Sequence, residues 1–139
     1  MPRTSIDLPF YDGKTRFLEW YWDAAGEMPA RDAYGRLDAD GRAAVLASAK
    51  YWADLERGKR VNDSRINEEH DDPLILAIKG DVHRFTTFHA GYDTWIVCDY
   101  YRKQKKKLDK IGKTSIKRTL RYMADYFQRV KEGTYYERA

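Results

Sequence analysis

Two parts of the N-terminal half carry apolar residues at helical spacing. In the segment TRFLEWYWDA, aromatic and leucine side chains recur every three or four positions and predict a helix over residues 15–24. A longer alanine-rich segment follows, with Asp38 or Asp40 as its N-cap and Gly58 as its terminator. Because alanine favours helix and the apolar residues share one face, we predict a second helix near residues 39–57.

The C-terminal part of the chain contains the most regular helical pattern. Five apolar residues follow one another at intervals of 4, 3, 4 and 3 positions: Ile116, Leu120, Met123, Phe127 and Val130. Such a stripe is typical of a helix that packs one face against a core. We therefore predict a helix near residues 113–131 with this stripe facing inward, followed by a frayed tail.

Strand signals occur in two places. Residues 5–11, SIDLPFY, predict a short strand, and Pro9 favours a position at the edge of a sheet because proline cannot donate to the ladder. Three apolar runs, LILAIKG, HRFTTFHAG and TWIVCDYY, then follow one another closely, with Gly80 and Gly91 between them. Tight turns at these glycines predict an antiparallel meander.

The order of these elements predicts the fold class. Residues 26–36 and 59–72 are polar and without period, so we predict loops there. The order is then strand, helix, helix, three strands, helix, which indicates an α+β fold rather than alternating α/β. We expect one domain over residues 1–139, built on a small antiparallel sheet of about four strands, with two helices on the N-terminal side and one C-terminal helix.

Positive charge is concentrated between Tyr100 and Arg121. This window holds ten Lys or Arg residues and one acid, a formal charge of +9, whereas the whole chain carries +4, so the remainder carries −5. A solvated charged surface would explain such a window, and so would a membrane-surface patch or a site for nucleic-acid phosphates. The apolar helix face that a membrane patch needs is assigned to the core, and the tyrosine pair Tyr100-Tyr101 favours nucleic acid, because aromatic rings stack on bases.

Two further cations lie in the predicted meander. Lys79 ends the first strand and Arg84 begins the second, so a hairpin at Gly80-Asp81 brings them close together. Charged side chains are costly to bury, so these positions predict a basic face on the sheet. We expect this face to meet the end of the third strand, residues 100–103.

Other chemistries lack their signatures. The chain has no glycine-rich dinucleotide motif and no P-loop, and its three histidines are scattered, so neither a cofactor nor a metal site is predicted. The single cysteine, Cys98, is expected to be buried and has no partner for an internal disulfide, which favours a reducing compartment. With neither a secretory signal nor a membrane-spanning run in the sequence, the expected location is the cytoplasm.

Several segments together have a counterpart among known families. The early strand, glycine turn and short helix of IDLPFYDGKTRFLEW precede the alanine-rich helix of DGRAAVLASAKYWADL. LAIK and HRFTTF then supply two basic strands, and DYYRKQKKKL ends a third. Over roughly residues 5–130 the chain thereby resembles the RelE/HigB superfamily of bacterial toxins, particularly the phage-related HigB-like branch. Lys79 stands where that branch usually has arginine, and Lys107-Leu108 replaces its usual K-T-P.

The resemblance implies the toxin of a type II toxin–antitoxin pair, an endoribonuclease that cuts mRNA on the ribosome without metal. The 2′-hydroxyl attacks the adjacent phosphate, which needs a base, an acid and cations around the phosphorane. On this basis the candidate catalytic residues are Lys79, Arg84, Tyr101, Lys103 and His83. The candidate RNA-binding residues are Tyr100, Arg102, Lys105, Lys106, Lys107, Lys110 and Lys113.

The resemblance also implies partners and leaves alternatives open. A cognate antitoxin, of helix-turn-helix type and acidic where it meets the basic face, is expected beside mRNA and the ribosome, and it could form a hetero-oligomer with the toxin. One alternative is a DNA gyrase inhibitor, as in the related ParE branch. Another is a catalytically inactive, phage-derived module that binds RNA or protein. His83 and His89 both remain candidates for acid–base work, although strand alternation separates His83 from Arg84.

Overall fold

The computed structural model describes residues 7–104 and 110–136, and these residues form six strands and three helices. The elements are β1 (Pro9–Asp12), β2 (Phe17–Trp20), α1 (Pro29–Arg36), α2 (Ala39–Asp54), β3 (Ile66–His70), β4 (Ile75–Gly80), β5 (His83–Gly91), β6 (Thr94–Arg102) and α3 (Lys110–Glu132). This is an α+β fold, as the pattern of the sequence predicts.

The strands form one six-stranded mixed sheet in the order β1-β2-β6-β5-β4-β3. Neighbouring strands are antiparallel except for β2 and β6, which run parallel. The expectation of about four antiparallel strands is therefore wrong in the number of strands and in one orientation. Because β1 and β3 lie at the two edges, the predicted edge position of the Pro9 strand is confirmed.

The additional central strand arises from the segment that predicted a helix over residues 15–24. Residues 17–20 form β2 instead, between β1 and β6, and Leu18, Glu19 and Trp20 are all buried. A strand covered on both faces has a continuous apolar run, and such a short run resembles helical periodicity. Pairing with two neighbours decides the conformation here, since each strand partner supplies backbone hydrogen bonds.

Two predicted loops contain regular structure. Residues 29–36 form α1, which begins with Pro29 in its first turn, where the missing N–H of proline costs nothing. Ala30 and Ala33 bury one side of this helix. Residues 66–70, within the predicted loop 59–72, form edge strand β3 and pair with β4.

The prediction of a helix near residues 39–57 is confirmed by α2, which ends at Asp54. The carboxylate of Asp38 caps it by accepting a hydrogen bond from the backbone N–H of Gly41 at 2.7 Å. Its inner face, with Val45, Ala49 and Trp52, is buried.

The predicted meander is also confirmed, by β4, β5 and β6. Gly80 pairs with His83 and Gly91 with Thr94, so two-residue turns join the strands. The first turn residue, Asp81, has φ of 55°. Phe85 and Thr86 are neighbours on β5, so their side chains point to opposite faces of the sheet.

The helices lie on both faces of the sheet. Phe85 contacts Tyr34 of α1 at 6.1 Å between ring centroids. On the opposite face, the hydroxyl of Thr86 lies 2.7 Å from that of Thr119 in α3. Gly80 packs directly on Val45 of α2, so α1 and α2 share one face and α3 covers the other.

Helix α3 covers the predicted range, but the predicted inward stripe is confirmed only in part: Met123 packs against the core, whereas its C-terminal members do not. Ile116 is buried, whereas Phe127 is 44% and Val130 39% exposed. The face turned to the sheet contains polar side chains with partners on the strands or the C-terminal segment. Ser115 donates to the carboxylate of Asp99 at 2.5 Å, and the other inward residues include Thr119 and Tyr126. Hydrogen bonding to buried groups therefore decides which face packs.

The end of the described chain is packed rather than frayed. Tyr135 is fully buried and its hydroxyl accepts a hydrogen bond from the backbone N–H of Trp22 at 3.1 Å. Tyr136 donates to the carboxylate of Glu19 at 2.9 Å. Cys98 is fully buried, as predicted, and burial raises the pKa of its thiol to about 12.

The close approach of Gly80 to α2 yields a test of the fold. A Cβ at Gly80 would lie 2.6 Å from the backbone nitrogen of Val45, so Gly80→Ala must displace the helix backbone. We expect it to lower the free energy of unfolding by about 1–3 kcal/mol, the usual cost of overpacking.

Gly35→Ala in α1 is the control, because nothing lies within 4 Å of its added Cβ. The control should change stability by between zero and about +1 kcal/mol, as helix propensity dictates. Urea unfolding measures both, and equal values for the two variants would contradict this packing.

Candidate functional site

Three of the predicted catalytic residues lie in one row across the sheet. Lys79 on β4 pairs with Arg84 on β5, and Arg84 pairs in turn with Tyr101 on β6. Directly paired strand residues project from the same face. This is the α3 face, because Thr86, two residues after Arg84 on the same strand, contacts Thr119.

Lys103 belongs to the same group. It follows β6, and its backbone N–H donates to Val82 O at 2.7 Å, which holds it beside the β4–β5 turn. Its positive charge contributes to lowering the pKa of Lys79, so the two ammonium groups lie within electrostatic reach. We call Lys79, Arg84, Tyr101 and Lys103 the basic cluster; it contains four of the five predicted catalytic residues.

Arg84 is held by the turn that precedes it. Its Nη1 donates to the backbone oxygens of Asp81 at 2.6 Å and His83 at 2.9 Å. The side chain is half-buried, and this burial is the main cause that lowers the pKa of its guanidinium. These two bonds orient the planar fork, which is the group best matched to a phosphate.

Lys79 is held more loosely. Its Nζ donates one hydrogen bond, to Asp63 O at 2.9 Å. Burial lowers the pKa of Lys79, and the positive charges of Arg84 and Lys103 lower it further. An ammonium group with a lowered pKa releases its proton more readily than an ordinary lysine.

Glu69 completes the site and was not predicted. Its Oε1 accepts a hydrogen bond from the Tyr101 hydroxyl, and its Oε2 accepts one from Asn67 Nδ2 at 2.7 Å. Glu69 falls at a register shift of β3, between the pairs that Glu68 and His70 make with β4. The segment around it is polar and without period, so no signal in the sequence marks a strand or a bulge there.

His83 lies on the opposite face from the basic cluster, so the catalytic set of five does not assemble as one group. Its Nδ1 is 2.7 Å from the Tyr100 hydroxyl, and a Cβ on Gly41 of α2 would lie 3.1 Å from its Nε2. Burial, followed by the positive charge of Arg102, lowers the pKa of His83. His83 lies on this face because successive residues of a strand point to opposite faces of the sheet. The same alternation places Tyr100 and Arg102 on this face as well.

The remaining predicted RNA-binding residues follow the third strand. Lys110 and Lys113 are exposed in the first turn of α3. Lys105, Lys106 and Lys107 lie outside the described residues. His89, the other histidine candidate, is exposed near the far end of β5, where its Nε2 is 2.5 Å from Tyr92 O.

Within residues 7–104 and 110–136, no group of three or more His, Cys, Asp or Glu side chains is placed to hold a metal ion. Among the same residues, no helix combines the length and apolar character needed to cross a membrane. The basic cluster contains three cations and a buried phenol, and the Glu69 carboxylate accepts a hydrogen bond from that phenol.

Comparison with protein-family models and with curated proteins finds no match for this chain. The chemical character of the site thus rests on its geometry. Three neighbouring cations can hold an anion with several oxygens, and a carboxylate such as Glu69 can accept a proton.

The charges in the basic cluster predict an unusual titration of Lys79. Its pKa should lie below that of Lys50, whose pKa is raised by hydrogen bonds to Tyr11 and Asp54. NMR of ¹³C-methylated lysines measures both. Arg84→Gln removes one neighbouring positive charge, so it should raise the pKa of Lys79 and leave that of Lys50 unchanged. Titration of Lys79 at or above the pKa of Lys50 would contradict this arrangement.

Proposed function

We propose that the protein is the toxin of a type II toxin–antitoxin system, a metal-independent endoribonuclease that cleaves mRNA on the ribosome and inhibits translation. The single observation that carries the proposal is the basic cluster, a set of cations and a tyrosine in register on one sheet face. The resemblance of the sequence to RelE/HigB toxins directs the choice of substrate.

The order of elements supports this family. Two helices, three strands and a final helix follow one another as α1, α2, β4, β5, β6 and α3. The early strand of the resemblance corresponds to β1, but the residues matched to its short helix form β2, and α1 lies later in the chain. The four strands β2, β6, β5 and β4 are contiguous in the sheet.

The electrostatics of the basic cluster favour an anionic ligand. Lys79 and Arg84 are directly opposed across β4 and β5, and like charges in such a pair destabilise a sheet by roughly 0.2–1 kcal/mol. A bound phosphate removes this repulsion by neutralising both charges. Sites that break a local stability rule in this way are commonly functional.

In this proposal the cations share the phosphorane. Arg84, oriented by its bonds to Asp81 O and His83 O, holds two equatorial oxygens through its fork. Lys79 and Lys103 neutralise the charge that develops in the transition state. Lys110 and Lys113 contact the RNA backbone farther along, as point charges.

The opposite face takes a different part. His83 lies beside the N-terminus of α2, and Tyr100 and Arg102 share its face of the sheet. All three lie away from the basic cluster, so we assign them no role at the scissile phosphate. The antitoxin, of helix-turn-helix type, would cover the basic cluster with acidic residues, because complementary charge orients association. Toxin and antitoxin would act in the cytoplasm as a hetero-oligomer.

A second candidate is an RNA-binding module without cleavage. One observation favours it: Lys79 and Arg84 already donate to backbone oxygens, so their geometry is satisfied without a reacting group. Steep salt dependence of RNA binding, with intact RNA both free and on ribosomes, would select this function.

Expression in bacteria tests the toxin directly. We expect the wild-type chain, induced from a tightly controlled promoter, to arrest growth and to leave new 5′ ends within translated mRNA. Arg84→Ala should lower cleavage by about 10²–10³-fold, the usual effect of removing one transition-state donor. Arg60→Ala is the matched control, because Arg60 is exposed and lies outside the basic cluster.

Growth without arrest, or arrest with intact mRNA, would contradict the proposed function. Arrest accompanied by a DNA-damage response and intact mRNA would indicate gyrase inhibition instead. Equal loss of activity in Arg84→Ala and Arg60→Ala would show that net charge, rather than the basic cluster, produces the effect.

A further inference from the structure

The β-bulge in β3 aims one acidic side chain at the basic cluster. Glu68 pairs with Leu76 and His70 with Ile75, so Glu69 is the extra residue on its strand. Bulges redirect a side chain and are frequent beside active sites. Here the redirected carboxylate reaches a tyrosine on β6, although β4 and β5 lie between the two strands.

In the hydrogen bond between Tyr101 and Glu69, the tyrosine is the donor and the carboxylate is the acceptor. A phenol has one proton, and Tyr101 donates it to Glu69 Oε1. Tyr101 is therefore not free to protonate a leaving group in this arrangement. A carboxylate that accepts two hydrogen bonds keeps further lone pairs, so Glu69 can take one more proton donor.

Glu69 also interacts electrostatically with two cations of the basic cluster. Its negative charge acts on both Lys79 and Arg84, in each case opposing the decrease in their pKa. Among the described residues, it is the carboxylate that acts on both of these cations. A phosphate held by Lys79 and Arg84 would therefore bind beside this oxygen pair.

We propose that Glu69 is the general base of the cleavage reaction, a role that rests on the proposed function. Glu69 takes the proton of the 2′-hydroxyl as the 2′-oxygen attacks phosphorus. The bond from phosphorus to the 5′-oxygen breaks, and that oxygen takes a proton from the Lys79 ammonium. The products are a 2′,3′-cyclic phosphate and a 5′-hydroxyl, and solvent returns the proton from Glu69 to Lys79.

Lys79 suits the acid role in this step. Its lowered pKa eases release of the proton, and its position in the row with Arg84 places it on the same phosphate. Base and acid then come from different strands, β3 and β4, with the phosphate held by Arg84 and Lys103. Tyr101 orients the carboxylate and exchanges no proton with the RNA.

Glu69→Gln separates basicity from structure. The introduced amide oxygen still accepts the hydrogen bond from Tyr101, so the packing is kept while the base is lost. We expect single-turnover cleavage of ribosome-bound mRNA to fall by about 10²–10⁴-fold, the usual contribution of a general base. RNA binding should stay within about threefold, since removal of a negative charge does not weaken contacts to phosphate.

Glu68→Gln is the matched control. Glu68 precedes Glu69 on the same strand and is exposed, so it loses the same charge without touching the basic cluster. Its cleavage rate should stay within about threefold of wild type. Tyr101→Phe removes the orienting hydrogen bond but keeps the base, so it should cleave faster than Glu69→Gln.

The outcomes separate this role from the proposed function. Cleavage by Glu69→Gln at the wild-type rate overturns the role of Glu69 and leaves the proposed function standing. Equal losses in Glu69→Gln and Tyr101→Phe also overturn it, because Glu69 would then only position Tyr101. A wild-type chain that binds RNA and never cleaves it overturns both.

Discussion

The two-residue turn at Asp81 and Val82 sets the register of β4 against β5, and the candidate site depends on that register. With Gly80 paired to His83, Lys79 falls opposite Arg84, and the antiparallel pairing of β5 with β6 brings in Tyr101. A shift of one residue would move a whole strand's side chains to the other face. The same turn supplies the backbone oxygen of Asp81 that holds the Arg84 guanidinium.

The packing of the two faces explains why this row of cations is tolerated. On the α1–α2 face, Gly80 lies against Val45 and leaves no room for slippage. On the other face, a hydrogen bond between the hydroxyls of Thr86 and Thr119 and one from Ser115 to Asp99 hold α3 on the sheet. The helix is thereby held beside the cluster, and Glu69 offsets part of the repulsion between its cations. Stability comes from the buried core, so β4 and β5 can carry two like charges opposite each other.

Local signals predicted the parts of the structure that local interactions determine. The cap at Asp38 marked α2, and the glycines at the turns marked the meander and hence the approach of Lys79 to Arg84. The helix predicted over residues 15–24 was wrong because pairing with β6, far along the chain, decides its conformation. The inward face of α3 was predicted only in part for a similar reason: its polar residues have partners on strands or on the C-terminal segment.

The role of Glu69 in the candidate site could not be predicted from local signals in the sequence. Its contact joins residues 32 positions apart through a bulge, and neither the spacing nor the composition of residues 59–72 indicates it. The division of the basic residues between two faces follows from alternation, which the sequence does predict. The Glu69 carboxylate, which adds a proton acceptor to the basic surface, is brought there by the tertiary structure alone.

Under the proposed function, RNA binds through its backbone to the basic cluster on the α3 face. NMR titration with a short RNA carrying a 2′-deoxy sugar at the scissile position, which binds without reacting, tests it most directly. Chemical-shift changes are expected at Lys79, Arg84, Tyr101 and Lys103 that weaken as salt rises, with His83 and Tyr100 unaffected. Changes confined to His83 and Tyr100, or none at the basic cluster, would contradict it.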